Sequence, residues 1–124
     1  MANLGEYKDS IQGGIRPILI TSNNVSNQKS NFVNCIPLTS KYKCLPNHAY
    51  LTKNNENGLL VGSIALAEQE RPLSKDDIIK YIGHLSDKQL KDVAKAYVIQ
   101  RPFLAMAIED DSFMNSKLFE HVCA

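Results

Sequence analysis

The sequence predicts a small α+β domain, mainly β in its first half and helical in its second. Three observations carry this. Runs of β-branched and aromatic residues, broken by Asn, Gly and Pro turns, fill residues 16 to 69. An apolar period of 3.6 begins only after Ser86. Finally, 124 residues suffice for one core rather than two. Short strands at this spacing favour an antiparallel barrel or sandwich, and residues 1–124 are expected to form a single domain.

In chain order, "RPILITS" (16–22) reads as a short buried strand and "NNVSNQKSN" (23–31) as a polar loop. "FVNCIPLTS" (32–40) combines β-branched and aromatic residues, and "HAYLT" (48–52) follows the Leu45-Pro46-Asn47 turn. After the turn at Asn54 to Gly58, "LLVGSIALAEQ" (59–69) supplies a further strand or two, with Gly62 marking a bulge or bend. The segment 74–85 is ambiguous. Ser74 and Asp77 have capping-box spacing, yet Ile78, Ile79, Tyr81 and Ile82 suit a strand equally well. From Ser86 the reading is clear: Ser86 and Gln89 form a capping box, and Leu90, Val93, Ala94, Tyr97 and Val98 share one face of a helix ending before Pro102. A short extra helix is expected after Asp111 or Ser112, on the pattern Met114, Leu118, Val122.

Composition excludes several classes. A net charge of +1 offers no global field for nucleic acid. Its distribution is uneven, with five basic and two acidic residues in 1–50 against nine and eleven beyond. No apolar run is long enough for a membrane span, and "MANLGEYKDS" lacks the features of a signal peptide, so a cytoplasmic protein is expected. Cys35, Cys44 and Cys123 have neither paired spacing nor nearby histidine clusters, which points to reduced, structural thiols rather than disulfides or zinc.

Four groups of residues are chemically notable. In "SIQGGIRPILIT", Arg16 follows Gly13 and Gly14; it is either a charge at a strand start or a guanidinium fork held for an anion. In "IPLTSKYK", Thr39 and Ser40 end a strand ahead of Lys41 and Lys43, as solvated polar residues or as phosphate contacts. His48, His84 and His121 lie on separate elements, and Glu68 and Glu70 are expected on one face of a strand. Gly13-Gly14 precedes neither a lysine nor a helix, which excludes a nucleotide-binding loop.

Taken in order, "SIQGGIRPILITSNNVSN", "NFVNCIPLTSKYKCLPNHAYL", "GSIALAEQERPLSK" and "IGHLSDKQLKDVAKA" resemble the MazF/PemK-like toxin endoribonucleases of bacterial type II toxin–antitoxin systems. The resemblance covers about residues 4–104, leaving 105–124 as an extension. It implies a small Src-homology-3-like antiparallel β-barrel of the CcdB/MazF/PemK type, with a C-terminal amphipathic helix, assembled as a homodimer. It implies metal-independent, cofactor-free cleavage of single-stranded mRNA at specific sequences, leaving a 2′,3′-cyclic phosphate and a 5′-hydroxyl. The partners implied are single-stranded RNA and a cognate antitoxin, with DNA reached only through the antitoxin and no membrane. Arg16 and Thr39 fall on the family's catalytic positions, with Gln12, Gly13, Gly14, Ser40 and Lys41 as RNA contacts. A second function on the same fold is a non-cleaving binding module, either a CcdB-like gyrase inhibitor or a degenerate toxin that holds RNA or antitoxin.

Two departures stand out. Ile11 occupies a position that is acidic in many relatives. Only Met1 to Leu4 precede Gly5, where relatives have a full strand, so the first strand is expected to be short or missing, with the open barrel edge covered by the partner subunit, by the tail after Pro102, or not at all.

Overall fold

The computed structural model describes residues 1–7, 11–41 and 45–115, with the backbone alone for Phe113. Its central element is β4 (Phe32–Thr39), whose last five residues are all buried. Such a strand must be covered on both faces, and it is. β3 (Ile18–Ile20) pairs antiparallel along one side, with Ile18 opposite Pro37 and Ile20 opposite Cys35. β6 (Ser63–Leu66) and β7 (Arg71–Ser74) share the other side, through Leu38↔Ala65 and Cys35↔Arg71. Between those two pairs β4 advances three residues and its partner six. The excess leaves the sheet as a 3-10 turn, Ala67–Gln69. β5 (His48–Leu51) completes the order β3-β4-β6-β5.

The two faces of β4 serve two apolar clusters, as a period of two requires. Ile36 and Leu38 join Ala49, Leu51, Leu59, Ala65 and Ala67 beneath Val93 and Ala96 of α2 (Asp87–Gln100). Val33 and Cys35 face the other way, towards Ala2, Leu4 and Leu73. α2 starts as its sequence predicts: Ser86 Oγ accepts from Gln89 N–H, and Gln89 Oε1 accepts from Ser86 N–H.

Proline shapes the other end of the sheet. Continuing the β3–β4 ladder would require an N–H at Pro17, which has none. Leu38 N–H still reaches the Pro17 carbonyl at 3.1 Å, but there the ladder stops. The chain then re-pairs as β2 (Ile15–Arg16) with β1 (Ala2–Asn3) in a separate two-stranded sheet. Among the described residues the ladders therefore do not close into a continuous barrel. The short first strand is present, and its far edge is covered from within the chain: Ala2 bridges Ile78, and Ile79 N–H donates to the Met1 carbonyl at 2.8 Å.

Four local expectations change. The asparagine-rich loop contains a short helix, α1 (Asn24–Lys29), because Asn23 caps it by accepting from Ser26 N–H. Strand β6 begins at Ser63, and Gly62 lies just ahead of it. Ser74 caps only the 3-10 turn Lys75–Asp77, after which 78–85 runs irregularly. Glu68 and Glu70 do not share a strand face, since Glu68 sits in the 3-10 turn and Glu70 ends it. Beyond α2 come α3 (Ala105–Ile108) and α4 (Asp111–Met114). The expected positions Leu118 and Val122, like His121, Cys44 and Cys123, lie outside the described residues.

Candidate active site

The β3–β4 pairing brings the two leading candidates into one neighbourhood. Its last backbone bond joins Leu38 N–H to the Pro17 carbonyl, and Arg16 and Thr39 are the next residues beyond it, one on β2 and one at the end of β4. β2 and β4 stay in contact past the end of that ladder. A guanidinium and a hydroxyl far apart in sequence thus lie on neighbouring strand ends.

Each is held in a way that leaves donors available. Arg16 Nε donates to the Gly13 carbonyl at 2.7 Å, which fixes the plane of the fork. Its terminal Nη groups have no partner among the described residues. Thr39 is buried, and its Oγ1 accepts from Lys41 N–H at 3.3 Å. The hydroxyl hydrogen has no acceptor among the described residues, so it remains free to donate. Ser40 and Lys41 follow at the surface.

The loop presenting Arg16 is tied down at several points. Gly14 adopts φ +75°, the left-handed region that favours glycine, and exchanges backbone hydrogen bonds with Leu4 and Gly5. A Cβ on Gly13 would lie 2.5 Å from the Gly5 carbonyl oxygen, so the missing side chain there serves contact within the chain. Gln12 is buried rather than presented to solvent. Its N–H donates to Gln69 Oε1 at 2.7 Å, and its carbonyl accepts from Arg71 Nη1 at 2.6 Å. Arg71 also donates through Nε to the Gln69 carbonyl and through Nη2 to Gln69 Oε1, while its guanidinium lies 4.6 Å from the Tyr7 ring centroid. Arg71 and Gln69 therefore act on Arg16 through Gln12 and Gly13. They are the positioning residues that reading by residue type passed over. The sequence signal was available in "EQER" of the third block, next to β7.

The same 3-10 turn steadies the segment after Thr39. His48 Nε2 and Glu68 Oε1 are 2.8 Å apart, and Leu45 N–H donates to His48 Nδ1 at 3.3 Å. With Leu45 N–H directed at Nδ1, Nε2 is the ring nitrogen that faces Glu68 as donor. Glu70 accepts from Thr21 and Tyr97 hydroxyls, at 2.8 and 2.7 Å. Burial, reinforced by that bond to Glu70, holds the Tyr97 phenol above its ordinary pKa. His84 is exposed at a junction, 3.7 Å from Glu56. Among the described residues no three His, Cys, Asp or Glu side chains gather as a metal-holding group.

The antiparallel sheets and their backing helix define a mainly β protein of the CcdB/MazF fold. A family model described as the PemK-like, MazF-like toxin of type II toxin–antitoxin systems matches residues 1–100, and the chain belongs to that family. Among curated proteins it is similar to the Staphylococcus saprophyticus protein named Endoribonuclease MazF, with 34% identity over 98 residues, covering 77% of this chain and 81% of that one. Among solved structures it is similar in fold to MazF from Deinococcus radiodurans, with TM-score 0.69, 22% identity and coverage of 82% and 89% of the two chains. It is also similar to a mycobacterial endoribonuclease in complex with its cognate antitoxin, with TM-score 0.63, 23% identity and coverage of 76% and 86%.

Proposed function

We propose that this toxin-family chain is a metal-independent endoribonuclease that cuts single-stranded mRNA at specific sequences. The observation that carries the reading is Arg16 on β2, next to the β4 end that holds Thr39, with its Nη groups unengaged among the described residues. In-line attack by a ribose 2′-hydroxyl concentrates negative charge on the phosphate. A fork already held by Gly13 stabilises that charge without reorganising. Thr39, a poor base, orients the 2′-hydroxyl or a phosphate oxygen through its available hydrogen. As the 2′-oxygen bonds to phosphorus its proton passes to water, the P–O5′ bond breaks and the departing 5′-oxygen takes a proton from water, leaving a 2′,3′-cyclic phosphate and a 5′-hydroxyl. Ser40 and Lys41, exposed beside Thr39, contact the RNA backbone; Gly13 and Gly14 shape the turn beneath the phosphate; Gln12 contributes by holding the loop.

The name of the staphylococcal relative supports RNA cleavage, and the antitoxin complex of the mycobacterial neighbour supports a cognate antitoxin as partner. The full reading is a single-domain, homodimeric toxin acting in the cytoplasm. No helix of the described residues is long and apolar enough to cross a membrane.

The test is cleavage of a long unstructured RNA with EDTA present, with the ends sequenced and their chemistry mapped. Arg16→Ala should lower kcat by about 100- to 1,000-fold, the usual cost of one preorganised donor, and Thr39→Ala should lower it sharply. Equal cutting by wild type and both variants would overturn the assignment. RNA or antitoxin binding without any cutting by wild type would instead favour the non-cleaving module.

A further inference from the structure

The rung that begins at Thr39 continues across the sheet. Thr39 of β4 pairs with Ile64 of β6, and Ile64 pairs with Tyr50 of β5. Directly opposed residues share a face, so the order across the sheet is Thr39, Ile64, Tyr50, with Arg16 on the neighbouring β2. Two strand spacings separate Thr39 from Tyr50, roughly 10 Å. Thr39 and Ile64 are buried, whereas Tyr50 is 56% exposed.

The tyrosine is not a loosely tethered surface ring. A Cβ on Gly62 would stand 2.2 Å from the Tyr50 hydroxyl oxygen and 2.9 Å from Cζ, so the ring end rests on bare glycine backbone. Its hydroxyl makes no hydrogen bond among the described residues. Neither burial in a core nor a polar partner explains an aromatic ring here. An exposed ring whose hydroxyl end is held against glycine, on the same rung as Thr39, is what a nucleobase stacks on.

We propose that Tyr50 is a stacking platform for a base flanking the scissile phosphate, and thus an RNA-contact residue in addition to those around Arg16. The proposal rests on single-stranded RNA as the ligand. Stacking uses the π-face present on every base, so Tyr50 adds affinity with little sequence preference. Sequence selection then falls to the loops on either side.

The test measures binding and does not depend on cleavage. Its probe is a random-sequence, single-stranded 2′-O-methyl RNA 12-mer, which cannot be attacked at the 2′ position, compared with an abasic strand of equal length. Tyr50→Leu should raise Kd for the base-bearing probe by about 5- to 150-fold, the range of base–aromatic stacking, and leave binding of the abasic strand unchanged. Tyr50→Phe should restore wild-type binding. Equal affinity of wild type and Tyr50→Leu, or an equal loss on both probes, would overturn the platform. A changed sedimentation coefficient with unaltered RNA affinity would assign the ring to a protein interface and overturn it too. A wild type that stacks the probe through Tyr50 but cuts no RNA would refute the nuclease reading and leave the platform standing.

Discussion

The most informative residue apart from the proposed catalytic pair is Arg71. It touches neither Arg16 nor Thr39, yet its fork holds the Gln12 carbonyl and the backbone carbonyl and Oε1 of Gln69. Lysine offers a point charge without that planar set of donors. Arg71→Lys should therefore lower kcat by about 10- to 100-fold with KM little changed, because small misplacements cost rate more than affinity. Single-turnover and steady-state kinetics on one substrate would show it, and an unchanged kcat would remove Arg71 from the positioning set. Legibility at this scale was uneven. Arg16 and Thr39 stood out as candidates because their types and order match a family motif. The Gln12, Gln69 and Arg71 clamp did not, although "EQER" marks its segment, because the backbone carbonyls that Arg71 reaches are chosen by the fold and not by residue type. Gln12 illustrates the gap: a polar side chain beside two glycines reads as exposed, but Gln69 and Arg71 draw its backbone inward.

At the level of elements, β4 and α2 were legible because each has one unambiguous period and, for α2, a reciprocal cap. Replacing that cap by Ser86→Ala should cost about 1 kcal/mol of unfolding free energy. Urea titration would register it as a lower midpoint at constant slope; no change would mean that Gln89, through its bond to the Thr52 carbonyl, anchors the turn alone. The elements that escaped reading share a cause. α1 has no buried residue to give it a period, and it exists because Asn23 caps it. The pairing partner of β4 changes register at the 3-10 turn, so alternation read straight through 63–74 puts Glu68 and Glu70 on the wrong face. A bulge is set by pairing, and pairing is absent from a single segment of sequence.

For the whole molecule, the interior tests stability through Cys35, which is fully buried between Ala2, Leu4, Val33 and Leu73. Burial pushes its thiol up to about 11, with the Arg71 charge opposing and the Glu70 charge reinforcing the shift. Because the folded-state value is raised, the protonated thiol stabilises the fold fully below about pH 9, and that contribution is lost as pH rises towards 11. Wild type should lose stability relative to Cys35→Ala across this window and not below it. Melting both proteins from pH 7 to 11 makes the comparison, in which the other cysteines and Tyr97 cancel. Parallel curves would refute the shift.

Pro17 has a mechanical consequence. By ending one ladder and releasing the chain into another, it puts Arg16 and Thr39 on opposite banks of a seam between two sheets. Arg16 is moored to Ala2, and Ala2 in turn to Ile78. The placing of Arg16 relative to Thr39 is thus borrowed from the first four residues, none of which the proposed chemistry uses, and loosening that mooring would widen the gap between the two.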